Sequence, residues 1–133
     1  MVLDAEGVVK LANGDPRVIA RTKLAYARSA TVVTAATTLA EVLRGGPRDA
    51  RVHKALHRVT IISIHADDAH AAGRLLGRAQ LAGHRHALDA LVAAVAMAQP
   101  RPVVLLTSDS KDMRRLTDEP GRPRRERITV VHV

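Results

Sequence analysis

An α/β fold built on a parallel sheet is the architecture this sequence predicts, on three observations. Short β-branched or apolar runs alternate with helical stretches from one end of the chain to the other. The run "PVVLL" is apolar on both faces, as a strand covered on two sides requires, where a half-exposed strand would alternate. A chain of 133 residues hides roughly two-thirds of its unfolded surface on folding, enough for one continuous core, so residues 1–133 read as a single domain.

"MVLD" reads as a short strand and "AEGVVKLANG" as a helix stopped by Asn13-Gly14. "DPRVIARTKLAYARSA" opens with Asp15 as N-cap and Pro16 at the first helical position, then repeats apolar residues at helical spacing. "TVVT" is a β-branched strand, followed by "TTLAEVLRGG", a helix with a glycine stop. "PRDARVHKALHR" is helical again, and "VTIISI" reads as the central strand. "ADDAHAAGRLLGRAQLAG" and "RHALDALVAAVAMAQ" make two helices, with Gly83 near the break. "PVVLLTSD" is the next strand, "SKDMRRL" a short helix and "ITVVHV" a last strand. There are no internal repeats. The one biased segment, "DEPGRPRRER" at 118–127, reads as a solvated Pro- and Arg-rich connection.

With 47% apolar and 1% aromatic residues, the core is drawn from Ala, Val, Leu and Ile, and Tyr26 is the sole aromatic. The absence of cysteine excludes disulfides, thiolate nucleophiles and Cys-based zinc sites. "MVLDAEG" lacks the charged and apolar regions of a secretory signal, and no apolar run approaches the roughly 20 residues of a membrane-spanning helix. The reading is a soluble cytoplasmic protein without a membrane partner.

The balance of 21 Lys plus Arg against 13 Asp plus Glu favours a polyanionic partner, because neutralising phosphates releases counterions. Nucleic acid is the obvious one. Without Phe or Trp the stacking platforms of single-strand binders are missing, so contact runs through Arg and Lys to phosphates.

The acids are placed with more order than the bases. Asp4 ends the first strand, Glu41 lies one turn into the helix after "TVVT", Asp89 lies near the start of a long helix, and Asp109 ends the "VVLLTSD" strand. In a parallel α/β sheet these positions share one edge, the edge where ligands bind. Each acid also has a local use. Thr38 to Glu41, "TLAE", matches a capping box; Asp109 with Asp112 suits the start of "SKDMRRL"; Asp4 suits the start of the first helix; Asp89 complements a helix dipole. Together, carboxylates on one edge repel, and they must protonate or share a cation. Mg²⁺ or Mn²⁺, with its preference for oxygen ligands, fits such a nest in a chain without cysteine. It would also activate water and neutralise a phosphodiester.

"VLDAEGVVKLA", "TTLAEVLRG", "HALDALVAAVA" and "LLTSDSKDMRRL" resemble the four sequence blocks of the PIN domain, and within it the VapC-type toxins of bacterial toxin-antitoxin pairs. The resemblance implies a three-layer sandwich around a five-stranded parallel sheet of order 3-2-1-4-5, and Mg²⁺- or Mn²⁺-dependent ribonuclease activity. By motif match, Asp4, Glu41, Asp89 and Asp109 form the acidic quartet, Asp112 is an auxiliary acid, and Thr107 and Ser108 orient the pocket. Asp4 and Asp89 would be the principal metal ligands, Glu41 would position or deprotonate the attacking water, and Asp109 would complete the cage. VapC-like toxins typically dimerise, cleave tRNA or ribosomal RNA, and are silenced by a VapB-like antitoxin. Glu6 departs from the uncharged residue many relatives carry there, and it either adds charge beside the metal or points away.

Arg44, Arg85, Lys111, Arg114 and Arg115 flank the acidic blocks and are candidate phosphate contacts, with ordinary helix-surface charge as the alternative for each. The seven histidines include "HADDAH" (65–70) and "HRH" (84–86), but the i, i+2 spacing of "HRH" does not put both rings on one helical face, so zinc is disfavoured. No G-x-G-x-x-G, Walker A or G-x-S-x-G motif occurs. A receiver-like signalling domain would need an acid at the end of "VTIISI" and a Lys after "ITVVHV", and has neither. A stand-alone RNA-processing nuclease and a non-catalytic nucleic-acid-binding PIN-like module remain as alternatives to a toxin.

Overall fold

The computed structural model describes residues 1–133. Five strands, β1 (Val2–Leu3), β2 (Val33–Ala35), β3 (Thr60–Ile62), β4 (Val104–Thr107) and β5 (Thr129–His132), form one parallel sheet in the order β3-β2-β1-β4-β5. The helices are α1 (Ala5–Ala12), α2 (Pro16–Ala27), α3 (Ala36–Val42), α4 (Ala50–Leu56), α5 (Ala66–Ala79), α6 (Gly83–Ala98) and α7 (Ser110–Leu116). Strand alternation sends Val2 and Leu105 to one face, where α5, α6 and α7 cover them, and Leu3 and Leu106 to the other, under α1, α2 and α4. Three layers result. In α6 the buried stripe is Ala90 and Val92 to Ala96, small side chains that let a helix lie close on the sheet.

β1 is only two residues long, but both are fully buried and both its neighbours pair with it, Val2 opposite Val33 on one side and Leu105 on the other. Asp15 caps α2 as expected, accepting from the N–H groups of Arg17 and Val18 at 2.9 and 3.0 Å. No helix is long and apolar enough to cross a membrane.

Several local expectations are corrected. "VTIISI" is not central: β3 is an edge strand, as the order 3-2-1-4-5 implied by the resemblance has it, with Thr60 and Ile61 exposed. The helix after β2 starts at Ala36, directly behind the strand, so Thr38 lies inside it and Thr38–Glu41 is no capping box. The Thr38 hydroxyl is buried without a partner. That helix also stops at Val42, short of the glycines, and the turn behind it is held by buried Asp49, which accepts from the N–H groups of Arg44 and Gly45 at 2.9 and 2.7 Å. The break between α5 and α6 sits at Gln80, in the left-handed region at φ 52°, and Gly83 is the first residue of α6. "DEPGRPRRER" is more tightly tied than a solvated loop. Glu119 is paired with Arg101 at 2.7 Å and Arg122 at 2.6 Å, and Arg127 donates to the carbonyls of Arg122 and Pro120.

Candidate active site

At the carboxyl edge of the sheet, β1 passes directly into α1, and Asp4 is the residue between them. Its Oδ1 accepts from the Gly7 N–H at 2.7 Å, so it caps the helix while its carboxylate stays at the sheet edge. Gly7 permits this closeness: a Cβ there would lie 3.3 Å from the Leu106 carbonyl oxygen and the Leu3 Cβ, and 3.4 Å from Asp4 Oδ1. Burial pushes the Asp4 carboxyl above its ordinary value. Hydrogen bonds from the Thr107 hydroxyl and the N–H groups of Gly7 and Ser108 pull it back in part, and the charge of Asp89 adds to the rise.

Glu41 comes from the last turn of α3, later in its helix than its sequence context suggests. It is raised by burial first, then by the charges of Asp89 and Asp4. Asp89 lies in the second turn of α6, too far in to serve the helix dipole, because α6 starts at Gly83. Burial raises its carboxyl, the imidazole of His86 with Nδ1 3.5 Å away opposes the rise, and the charges of Asp109 and Asp112 reinforce it. Asp109 caps α7, accepting from the Asp112 N–H at 3.1 Å, while its own N–H donates to the buried Thr107 hydroxyl at 3.0 Å. Thr107 therefore ties the Asp4 and Asp109 segments together. Ser108 contributes its N–H, and its side chain is exposed.

Charge links these acids across helices: Glu41 feels Asp89 and Asp4, and Asp89 feels Asp109 and Asp112. Neither Asp4, Glu41 nor Asp109 has a Lys, Arg or His within ion-pair distance, although the chain has 21 Lys and Arg. Their side chains do not converge as a ready-made cage of three or more ligands. The donor set, hard oxygens with raised proton affinity at Asp4, Glu41 and Asp89, fits a hard divalent cation that keeps much of its water. Glu6 lies 3.9 Å from Lys10 in the next turn of α1, so its charge has a counter-ion of its own.

The basic candidates divide. Arg44, Arg85 and Lys111 form no ion pair, and Arg85 and Lys111 are exposed. Arg115 is engaged within the fold, its two terminal nitrogens bonded to Asp112 at 3.2 Å and the Ala79 carbonyl at 2.7 Å. Arg114 shares a cleft of about 370 Å³ with Arg78, Arg115 and Asp118. Arg78 was invisible in the sequence because α5 reaches this cleft only through the tertiary fold. His86 was missed too: "HRH" draws attention to two histidines, whereas the informative spacing is His86 to Asp89, one helical turn apart with Nδ1 3.5 Å from Oδ2. "HADDAH" is a helix start, since the His65 N–H donates to Asp68 at 2.8 Å. A larger cleft of about 510 Å³, between α1, α2 and α4, contains none of the acids.

A three-layer α/β domain with acids that feel one another's charge at the carboxyl edge of a 3-2-1-4-5 sheet defines the class of protein. The chain belongs to the PIN domain family, whose model matches residues 1–119. PIN domains are in general nucleases. The fold is shared with the crystal structure of VapBC2 from Rickettsia felis bound to a DNA fragment from their promoter. The likeness has a TM-score of 0.70 and spans 99% of this chain and 97% of that one, at 21% identity. No curated protein matches the chain.

Proposed function

We propose that this chain is a divalent-metal-dependent ribonuclease of the VapC type, acting in the cytoplasm on structured RNA such as tRNA or ribosomal RNA. The observation that carries the reading is the treatment of charge: a protein of net charge +8 leaves Asp4, Glu41 and Asp109 without a single basic partner. Asp4 and Asp89 would hold Mg²⁺ or Mn²⁺, with Asp109 and Glu41 completing the set. Such an ion, when bound, supplies charge neutralisation for a phosphodiester and a more acidic water.

This chain's own residues do the rest. Glu41, whose carboxyl is pushed up by burial and by two neighbouring acids, suits the taking of a proton from the attacking water. Thr107 and the Ser108 N–H fix the Asp4 carboxylate. Arg78 and Arg114 hold the sugar-phosphate backbone beside the pocket, with Arg44, Arg85 and Lys111 as further contacts.

A VapB-like antitoxin is the proposed regulator. The 510 Å³ cleft has an apolar floor of Leu11, Ile19 and Ala55 and a rim of Arg51, Lys54 and Arg58, which suits an amphipathic helix carrying carboxylates. A homodimer is proposed with it, and Ile61 on the free edge of β3 and Leu88 on α6 are large apolar side chains left exposed. The test is cleavage of total cellular RNA by the purified protein with Mn²⁺, with EDTA, and by the Asp89→Asn variant. Discrete fragments that need both the metal and Asp89 are expected. Fragments that persist in EDTA or in the variant would sink the reading.

A further inference from the structure

We propose that His86 is a positioning residue that couples acids on two helices, Asp89 of α6 and Asp112 of α7, and so brings Asp112 into the cation site as a fifth carboxylate. The proposal rests on the metal-dependent reading above. The His86 Nδ1 atom lies 3.5 Å from Asp89 Oδ2 and 3.8 Å from Asp112 Oδ2. That nitrogen is sealed from solvent and makes no hydrogen bond within ordinary limits. Its acidic neighbours are therefore these two carboxylates, and a shift of a few tenths of an ångström by either closes a hydrogen bond. A buried donor left without a partner is costly, which favours that closure.

Asp112 is itself held from behind. Arg115 Nη1 donates to its Oδ1 at 3.2 Å, and Arg115 Nη2 donates to the Ala79 carbonyl, the last residue of α5, at 2.7 Å. The Asp112 N–H donates to Asp109 at 3.1 Å. A polar chain consequently runs from Asp89 through His86, Asp112 and Arg115 to the end of α5. It closes the α5–α6 hairpin onto α7. The turn of that hairpin, with Gln80 at φ 52°, lies between the two anchored points, Ala79 and His86. Asp89 stands mid-helix, partly exposed and among other negative charges, where an unrestrained carboxylate turns toward water. His86 holds it toward α7 and the other acids. Partners of this kind, bonded to a metal-binding carboxylate, typically change metal affinity or activity by about 10- to 100-fold.

The experiment measures Mn²⁺ affinity of the full chain by titration calorimetry, with melting temperature in the absence of metal and kcat and KM for RNA in parallel. The proteins are wild type, His86→Leu, His86→Asn, His86→Gln and Asp112→Asn, alone and combined with His86→Leu. Asn places an amide N–H where the imidazole Nδ1 stands, and Gln reaches past it. His86→Leu is expected to weaken Mn²⁺ binding about tenfold and to lower kcat with KM unchanged. His86→Asn should recover most of the affinity and His86→Gln should not. Asp112→Asn should weaken binding in the wild type and add little on the His86→Leu background, because the two act as a unit.

Lower melting temperature with unchanged Mn²⁺ affinity in His86→Leu would overturn the proposal, leaving His86 a packing role. A full, additive effect of Asp112→Asn on that background would do the same. If His86→Leu does not fold, the Asn and Gln variants decide, and equal affinity in both overturns it. Failure of the wild type to bind Mn²⁺ removes the metal-dependent reading and this inference with it. A wild type that binds Mn²⁺ beside an unaffected His86→Leu removes the inference alone.

Discussion

Asp4 serves two purposes, and substitution can separate them. Its oxygen caps α1 at the Gly7 N–H, 2.7 Å away, and its charge lies among the acids of the sheet edge. Asn caps about as well as Asp, so Asp4→Asn keeps the first use and removes the second. Burial raises the folded-state affinity of Asp4 for a proton, and the residue is only 8% exposed. The stability that a raised carboxyl contributes is whole below its unfolded value, near 3.8, and is lost as the pH rises through the higher folded value. At pH 7 the wild type therefore carries an ionised group that folding disfavours. Without metal, Asp4→Asn should melt at or above the wild type at pH 7, and the advantage should shrink toward pH 4. Asp4→Ala loses the charge and the cap together. Loss of a cap costs about 1 kcal/mol, and 133 residues unfold with an entropy of about 280 cal/mol/K, so the Ala variant should melt about 4 °C below the Asn variant. Both should be inactive on RNA. Circular-dichroism melts of the three metal-free proteins between pH 4 and 7 make the comparison. An Asn variant melting well below the wild type at pH 7 would refute the charge argument, and equal melting of Asn and Ala would refute the cap.

Saturating Mn²⁺, at about 100 times its dissociation constant, should stabilise the wild type by about 2.7 kcal/mol, a rise of about 10 °C in melting temperature. Asp89→Asn should gain far less, and an equal gain would exclude Asp89 as a ligand. Gly7→Ala should lower activity more than stability, because better helix propensity partly offsets crowding while the added Cβ, 3.3 Å from the Leu106 carbonyl oxygen and the Leu3 Cβ, pushes the start of α1 off the sheet and carries Asp4 with it; unchanged turnover would show that Asp4 tolerates the shift. Arg78→Ala combined with Arg114→Ala should raise KM at physiological salt. If each arginine neutralises one phosphate of a single strand, each substitution should also flatten the log–log salt dependence by about 0.7. A parallel salt dependence in wild type and variant would remove these residues from the RNA path.

The parallel α/β class was legible because its signals are local: β-branched runs, and caps such as Asp15 on α2 and Asp109 on α7 that act within three residues of themselves. The shared edge of the acids was legible by topology alone, since every strand of a parallel sheet ends on the same side. What failed depended on partners distant in sequence. Nothing within "VTIISI" itself tells an edge strand from a central one, because the order of strands is fixed by crossovers elsewhere, and only the order implied by the family resemblance put it at the edge. The Thr38–Glu41 box is a good local pattern, but α3 begins as soon as β2 ends, and a hydroxyl inside a helix has no free N–H to cap. His86 gains its meaning only when α7 brings Asp112 to within 3.8 Å of it.

Glu119 shows that the unpaired acids are a local choice and not a general shortage of partners. Its side chain is 10% exposed, comparable with Asp4, and it lies near the amino end of β4, opposite the acidic edge. There the fold gives a buried carboxylate two arginines, Arg101 at 2.7 Å and Arg122 at 2.6 Å. Asp4 receives only neutral donors, which orient a carboxylate without cancelling its charge. The same chain, at similar burial, neutralises one acid and leaves the other beside the like charges of Asp89 and Glu41. With an arginine on each oxygen, as Glu119 has from Arg101 on Oε2 and Arg122 on Oε1, Asp4 would have no oxygen left for a cation from solution. Left unpaired, it costs the metal-free fold stability, and under the proposed metal-dependent reading that cost would be returned as affinity for a cation that lets a polyanion approach the acidic edge.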